Sequence, residues 1–216
     1  MVIPAIRVTP TFAVPIGETR LESCEQLNRQ LEELFLARET DEFRNPTPSH
    51  LPQTEMFESR FNLFLWPESC VQQLRAFMLD AIGRVVLQAS AVRPEDLEQM
   101  KMQNHTWFHI SRFGGSFVAH NHPLASWSAV YCVRAGEDVT EHPESGLLRF
   151  FDTRPGADAF RDPANSRLHP SFAVGPKAYR LKSGQLVVFP SYLFHEVTPF
   201  YGSDQRITVA TNCWFV

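Results

Sequence analysis

The chain has 216 residues, with 20 Lys and Arg against 24 Asp and Glu, for a formal net charge of −4. A chain this long buries roughly 70% of its unfolded surface, so it holds a core without disulfide or metal staples. Its 44% hydrophobic, 12% aromatic and 20% charged residues exclude a disordered or collagen-like chain. No run approaches the roughly 18 apolar residues of a membrane span. Slight acidity without a Lys/Arg block argues against nucleic acid as a partner.

The first residues lack the charged and apolar regions of a secretory signal. Cys24, Cys70, Cys132 and Cys213 stand far apart, as reduced packed thiols do. Both features point to the cytoplasm. Pro4, Pro10 and Pro15 suit an extended edge segment. Thr19 and Glu22 form a capping-box pattern, and Leu21, Cys24, Leu27, Leu31, Leu34 and Phe35 then recur at helical spacing to about residue 38. The polar, proline-rich stretch 40–56 reads as a loop. A second helix opens at Pro67, with Val71, Leu74, Phe77, Met78, Ile82 and Val85 on its buried stripe, and Pro94 starts a short third.

From residue 104 the period changes to short β-branched and aromatic segments punctuated by glycine: HTWFHISRF, WSAVYCVRA, LLRFFD, KAYRLK, QLVVFP and RITVATNCWFV. No helical pattern interrupts them, so the sheet is expected to be mostly antiparallel. The expected class is α+β, a single domain with a helical buttress over 1–103 packed on a jelly roll over 104–216. The Pro/Gly-rich stretch 153–177 is a long connection of the kind that is disordered or functional.

Three features in this half carry chemistry. His120 and His122 lie two residues apart, so on a strand they face one way, and His195 closes LVVFPSYLFH. Three imidazoles make a facial metal site without naming the metal. Arg206, Thr208, Ala210 and Asn212 share one face of the last strand, and a guanidinium turned into a barrel demands an anion. Ten residues separate His195 from Arg206, which fits a turn at 200–203 and places metal and anchor on adjacent strands.

The motifs H-N-H-P, F-P-S-x-x-x-H-x-V and R-I-x-x-x-x-N over roughly 104–216 resemble a bacterial group of iron(II)- and 2-oxoglutarate-dependent oxygenases. The resemblance implies a double-stranded β-helix that hydroxylates a substrate while 2-oxoglutarate is decarboxylated to succinate, with O2 as a further reactant. It makes His120 and His195 ligands of Fe(II), and puts Arg206 with Thr208 on the far carboxylate of 2-oxoglutarate. Tyr131 is similar to a tyrosine that touches that carboxylate in some members. The chain departs from the pattern at His122, where a carboxylate is usual; Asp152 and Glu196 are the nearest alternative acids. The substrate, a small molecule or a peptide, is expected to meet 153–177, Phe200 and Tyr201.

His50, His105, His109, His142 and His169 read as structural. A cupin-like metal enzyme without 2-oxoglutarate also begins with Gly then H-x-H, but Ser126 and Trp127 stand where such sites place Glu. A non-catalytic jelly-roll binding module is the third reading. The helical half could also form a homodimer surface.

Overall fold

The computed structural model describes residues 5–46 and 53–216. Among these, nine strands form one sheet: β1 (Gly17–Arg20), β2 (Gln53–Glu58), β3 (Met102–His120), β4 (Trp127–Arg134), β5 (Leu148–Phe150), β6 (Lys177–Tyr179), β7 (Gln185–Pro190), β8 (His195–Val197) and β9 (Arg206–Phe215). Their order is β1-β7-β4-β9-β3-β8-β5-β6, with β2 added to β3, and every ladder between them is antiparallel. The two ends of this order approach each other, because Glu18 of β1 accepts from the Tyr179 hydroxyl at 2.8 Å and meets Lys177 Nζ at 3.4 Å across to β6. The sheet is thus curled into a jelly roll.

The curl is made by a corner within β3. Its first part pairs with β9, from Met102↔Phe215 to Ser111↔Arg206, and its last part pairs with β8 at Phe117↔Val197 and His120↔His195. Between them the register against β2 jumps from Met56↔Ser111 to Thr54↔Ser116. A Cβ on Gly115 would lie 2.8 Å from the Glu55 carbonyl oxygen and 2.9 Å from that of Arg112, so only glycine lets the strands pass this closely. Across the corner the Phe117 ring comes to 4.6 Å from that of His109, centroid to centroid.

Three helices, α1 (Glu25–Ala37), α2 (Ser69–Ala89) and α3 (Pro94–Gln99), complete the fold. Leu27, Leu31 and Phe35 of α1 and Leu74, Met78 and Ile82 of α2 pack on Phe108, Ile110, Tyr131 and Val209 of the sheet. The expected apolar stripes are therefore the ones buried, with Phe77 and Val85 partly covered.

Several boundaries differ from the expectation. Thr19 is no helix cap: it lies in β1 opposite Leu186, and α1 begins at Glu25 after Cys24. The stretch expected to be a loop over 40–56 contains most of β2, whose partner β3 lies some fifty residues away, beyond the reach of local pattern. The strand β8 is three residues long and emerges only through pairing with β3 and β5. His50 lies outside the described residues.

Candidate metal and cosubstrate site

The alternation of β3, β4 and β9 gives the major part of the sheet two faces. One packs under the helices; the other lines a cavity of about 400 Å3. His120, His122 and His195 meet in that cavity. Their candidate ligand atoms all lie within 4.8 Å of one another, and among the described residues no acid joins them in such a group. Ring centroids are 4.4 Å apart for His120 and His195, 5.0 Å for His120 and His122, and 5.2 Å for His122 and His195.

Two of the rings are held by the same device and the third residue is held by its backbone. His120 and His195 are direct register partners across β3 and β8. Their Nδ1 atoms sit 2.8 Å from the Val118 carbonyl and 2.9 Å from the Leu193 carbonyl. A carbonyl can only accept, so each Nδ1 carries the proton and each Nε2 keeps its lone pair for a metal. His122 follows the strand end and is held by its backbone N–H, which donates to the Ser191 carbonyl at 2.8 Å. Burial lowers the pKa of His195 to about 3 and of His122 to about 4, each helped by neighbouring histidine, and burial also lowers that of His120. All three imidazoles are neutral at pH 7, the form that binds metal.

Arg206 and Thr208 line the same cavity. Arg206 is 4% exposed and its Nη2 is sealed without a hydrogen-bond partner among the described residues. Burial, the largest influence, lowers its pKa from the usual 12.5. Ser111, its register partner on β3, also has a buried hydroxyl without a partner among the described residues. A buried cation beside an unsatisfied hydroxyl is strongly unfavourable unless an anion completes it. The donors present therefore fit a dicarboxylate reaching from a metal into the closed end.

Other expected residues lie elsewhere. Tyr131 points to the helix side of β4, where its hydroxyl donates to Asn28 Oδ1 at 2.7 Å and its ring packs edge-on to Phe77; its neighbour Val130 lines the cavity instead. His195 and Arg206 do not sit on adjacent strands, since β3 runs between β8 and β9 and pairs with both. Asp152 is clamped by Arg154 and the Gly175 N–H, and Glu196 is paired with Arg149. Phe200 is buried against Gly136 and Gly202, and Tyr201 leans on His142; neither lines the cavity.

The cavity also holds residues that the sequence did not single out for the site. His109, expected to be structural, faces inward opposite Thr208. Its Nε2 lies 2.9 Å from Trp107 Nε1 and 3.1 Å from Glu58 Oε2, and Glu58 Oε1 accepts from Asn45 at 2.8 Å. Glu58 had no local signal, because it belongs to the unforeseen β2.

A family model described as "Putative 2OG-Fe(II) oxygenase" matches residues 105–212, half of the chain. The chain belongs to this family of iron(II)- and 2-oxoglutarate-dependent oxygenases. No curated relative matches it. Among solved structures it is similar to a Pseudomonas putida prolyl-4-hydroxylase, with 18% identity over 93% of this chain and 92% of that one and a TM-score of 0.60. It is also similar to a Trichoplax adhaerens prolyl hydroxylase solved with a hypoxia inducible factor peptide fragment, with 10% identity, 93% and 83% coverage and a TM-score of 0.59. A third is EvdO2 from Micromonospora carbonacea var. aurantiaca, with 13% identity, 94% and 89% coverage and a TM-score of 0.57. At these identities the likeness establishes the fold. No helix among the described residues is long and apolar enough to cross a membrane.

Proposed function

We propose that this oxygenase holds Fe(II) through His120, His122 and His195, and takes the far carboxylate of 2-oxoglutarate on Arg206 and Thr208. One observation carries the assignment: a single cavity contains three converging imidazoles and a buried guanidinium whose Nη2 has no partner among the described residues. Fe(II) with 2-oxoglutarate supplies oxygen activation and the oxidative decarboxylation that drives hydroxylation of a C–H bond.

The chain's own residues do the rest. Three neutral ligands leave the full charge of a divalent ion uncompensated, which favours a dianionic cosubstrate. Arg206 meets that anion at the closed end with its fork of donors, and the Thr208 hydroxyl adds one more. Phe117, Phe189 and Leu148 exclude water from the inner wall. The loop 153–176 starts three residues after Phe150, which pairs with His195, so it is placed to shape the substrate entrance beside that histidine. All four cysteines are free and buried, which suits a reducing cytoplasm.

The test measures Fe(II)-dependent conversion of 2-oxoglutarate to succinate by anaerobically loaded protein, for wild type, His195→Ala and Arg206→Ala. Wild-type turnover that falls to background in both variants is the expected result. Metal bound through the histidines, with neither 2-oxoglutarate binding nor succinate, would replace this reading by the cupin-like one.

A further inference from the structure

Asn121 and Asn212 line the same cavity as the histidines, and each has one end of its carboxamide tied back into the fold. Asn121 Nδ2 donates to the Tyr192 carbonyl at 3.2 Å, so its nitrogen is turned to the protein and its Oδ1 is left to accept. Asn212 is tied the other way round. Its Oδ1 accepts from the Ser128 hydroxyl at 2.7 Å, and Ser128 Oγ lies 2.8 Å from Ser191 Oγ. Asn212 Nδ2 keeps two N–H donors with no partner among the described residues.

The support of Asn121 is Tyr192 itself, and that of Asn212 is Ser128 of β4, which also meets Ser191, the residue before Tyr192 in the same turn. That turn also takes the His122 N–H on its Ser191 carbonyl. Ser128 and Ser191 are 2% and 0% exposed, so the scaffold behind Asn212 is fixed by packing. One carboxamide is thus tied to this turn directly and the other through Ser128, beside the histidine cluster, one offering an acceptor and the other a donor.

The order along β9 places Asn212 on the outer side of the histidines, while Asn121 lies between His120 and His122 in the chain. Arg206 pairs with Ser111 at the corner, Thr208 with His109, and Ala210 with Trp107, whose ring is 6.1 Å from that of His122. Asn212 lies two residues further out, so Arg206 and Asn212 are about 20 Å apart along the strand. The Phe61 and Trp107 rings, 4.5 Å apart, flank the opening.

We propose that this outer part of the cavity recognises a neutral amide group of the primary substrate. Asn212 donates to the amide oxygen, Asn121 accepts from the amide N–H, and the Phe61 and Trp107 rings cover the group's plane. This rests on the oxygenase reading of the cavity, whose inner end is reserved for the cosubstrate. An ester offers no donor to Asn121, and a carboxylate brings a charge that neither carboxamide balances.

The test holds the full chain anaerobically with Fe(II) and 2-oxoglutarate. It titrates N-methylbenzamide against methyl benzoate, the ester of the same shape, reading tryptophan fluorescence and the visible absorption of the Fe(II)–2-oxoglutarate complex. The amide is expected to bind about fivefold tighter than the ester, the equivalent of one neutral hydrogen bond. Asn212→Ala should weaken both probes by about the same factor through loss of the donor to their shared carbonyl. The absorption that reports 2-oxoglutarate should remain. Asn212→Asp, of equal size but without the donor, should also weaken both. Equal affinity for amide and ester, binding of neither, or wild-type amide affinity in both variants overturns the proposal. A chain that never develops the 2-oxoglutarate absorption but keeps its preference for the amide overturns the oxygenase reading of the metal end and leaves the amide subsite standing.

Discussion

The two faces of the major sheet are built from alternate residues of the same strands, yet they are finished in opposite ways. On the helix side, Phe108, Ile110, Tyr131, Ile207 and Val209 are fully buried, and the one polar group among them, the Tyr131 hydroxyl, has its acceptor. On the cavity side, Trp107, His109, Ser111, Arg206 and Thr208 bring polar groups inside, and Arg206 Nη2 and the Ser111 hydroxyl are left without partners among the described residues. The sheet residues of the helix side are complete as folded, although Asn28 Nδ2 across from Tyr131 has no partner among the described residues. The cavity side needs a ligand to complete it, which is where a working site gives up stability.

The sharpest way to break this contrast is a pair of single substitutions on neighbouring strands. Phe108 stacks on Phe35 at 4.2 Å and also meets Phe57 and Trp66. Phe108→Ala should lower stability by about 3–5 kcal/mol, measured by denaturant unfolding. Thr208→Val, on the cavity face, should leave unfolding nearly unchanged. It should weaken 2-oxoglutarate by about tenfold, the lower range for a hydrogen bond to a charged group. If both variants lose only stability, the cavity face is ordinary core.

Arg206→Leu tests the same contrast with the opposite sign. Replacing a buried unpaired charge by an apolar side chain should raise the stability of the ligand-free protein by about 1–4 kcal/mol while abolishing 2-oxoglutarate binding. Unfolding curves with and without 2-oxoglutarate check both halves, since added ligand should stabilise only the wild type. A destabilised variant would mean that Arg206 already has a satisfying environment.

Tyr131→Phe sharpens the placement of a residue that the resemblance put at the cosubstrate. The lost hydrogen bond leaves Asn28 Oδ1 buried without its donor, so stability should fall by about 1–2 kcal/mol. 2-Oxoglutarate affinity should stay at the wild-type value. Weaker 2-oxoglutarate binding at unchanged stability would return Tyr131 to the site.

Why Tyr131 was misplaced, while Arg206 and Thr208 reached the cavity, is a matter of parity. In RITVATN the alternation of polar and apolar residues says which side chains share a face. In WSAVYCV both faces are apolar, so a shift of one residue cannot be detected from pattern. Only the register, Val130↔Ala210 and Tyr131↔Val209, decides it. The helices and most strands were legible because their apolar patterns are local to each segment, even where the partner is about a hundred residues away, as β9 is from β3. Glu58, Asn45 and the inward turn of His109 were not, because they depend on β2, which begins in a polar, proline-rich stretch that reads as a loop, and on its register around the corner at Gly114 and Gly115. The three histidines were legible for a local reason: two share a strand end, and the third closes an apolar segment beside them.

The smallest expected effect lies outside both faces, at the neck of the loop 153–176. Asp152 accepts from Arg154 Nε at 2.9 Å, Arg154 Nη2 at 2.8 Å and the Gly175 N–H at 2.9 Å, so it joins the two ends of the loop. The Arg154 hydrogen bond is the main cause that lowers its pKa from 3.8 to about 2. For a carboxylate with a lowered folded value, the stabilisation is fully present above the unfolded value and disappears as pH falls through the folded one. The neck should therefore hold from neutral pH down to about pH 4 and loosen toward pH 2. Because the group lies near solvent, Asp152→Asn should remove under about 1 kcal/mol of stability, and global unfolding will barely register it. Limited proteolysis at neutral pH should instead show faster cleavage within 153–176 in the variant, with the metal and 2-oxoglutarate affinities of the cavity unchanged. Equal cleavage rates would mean that the loop is held by contacts other than this clamp.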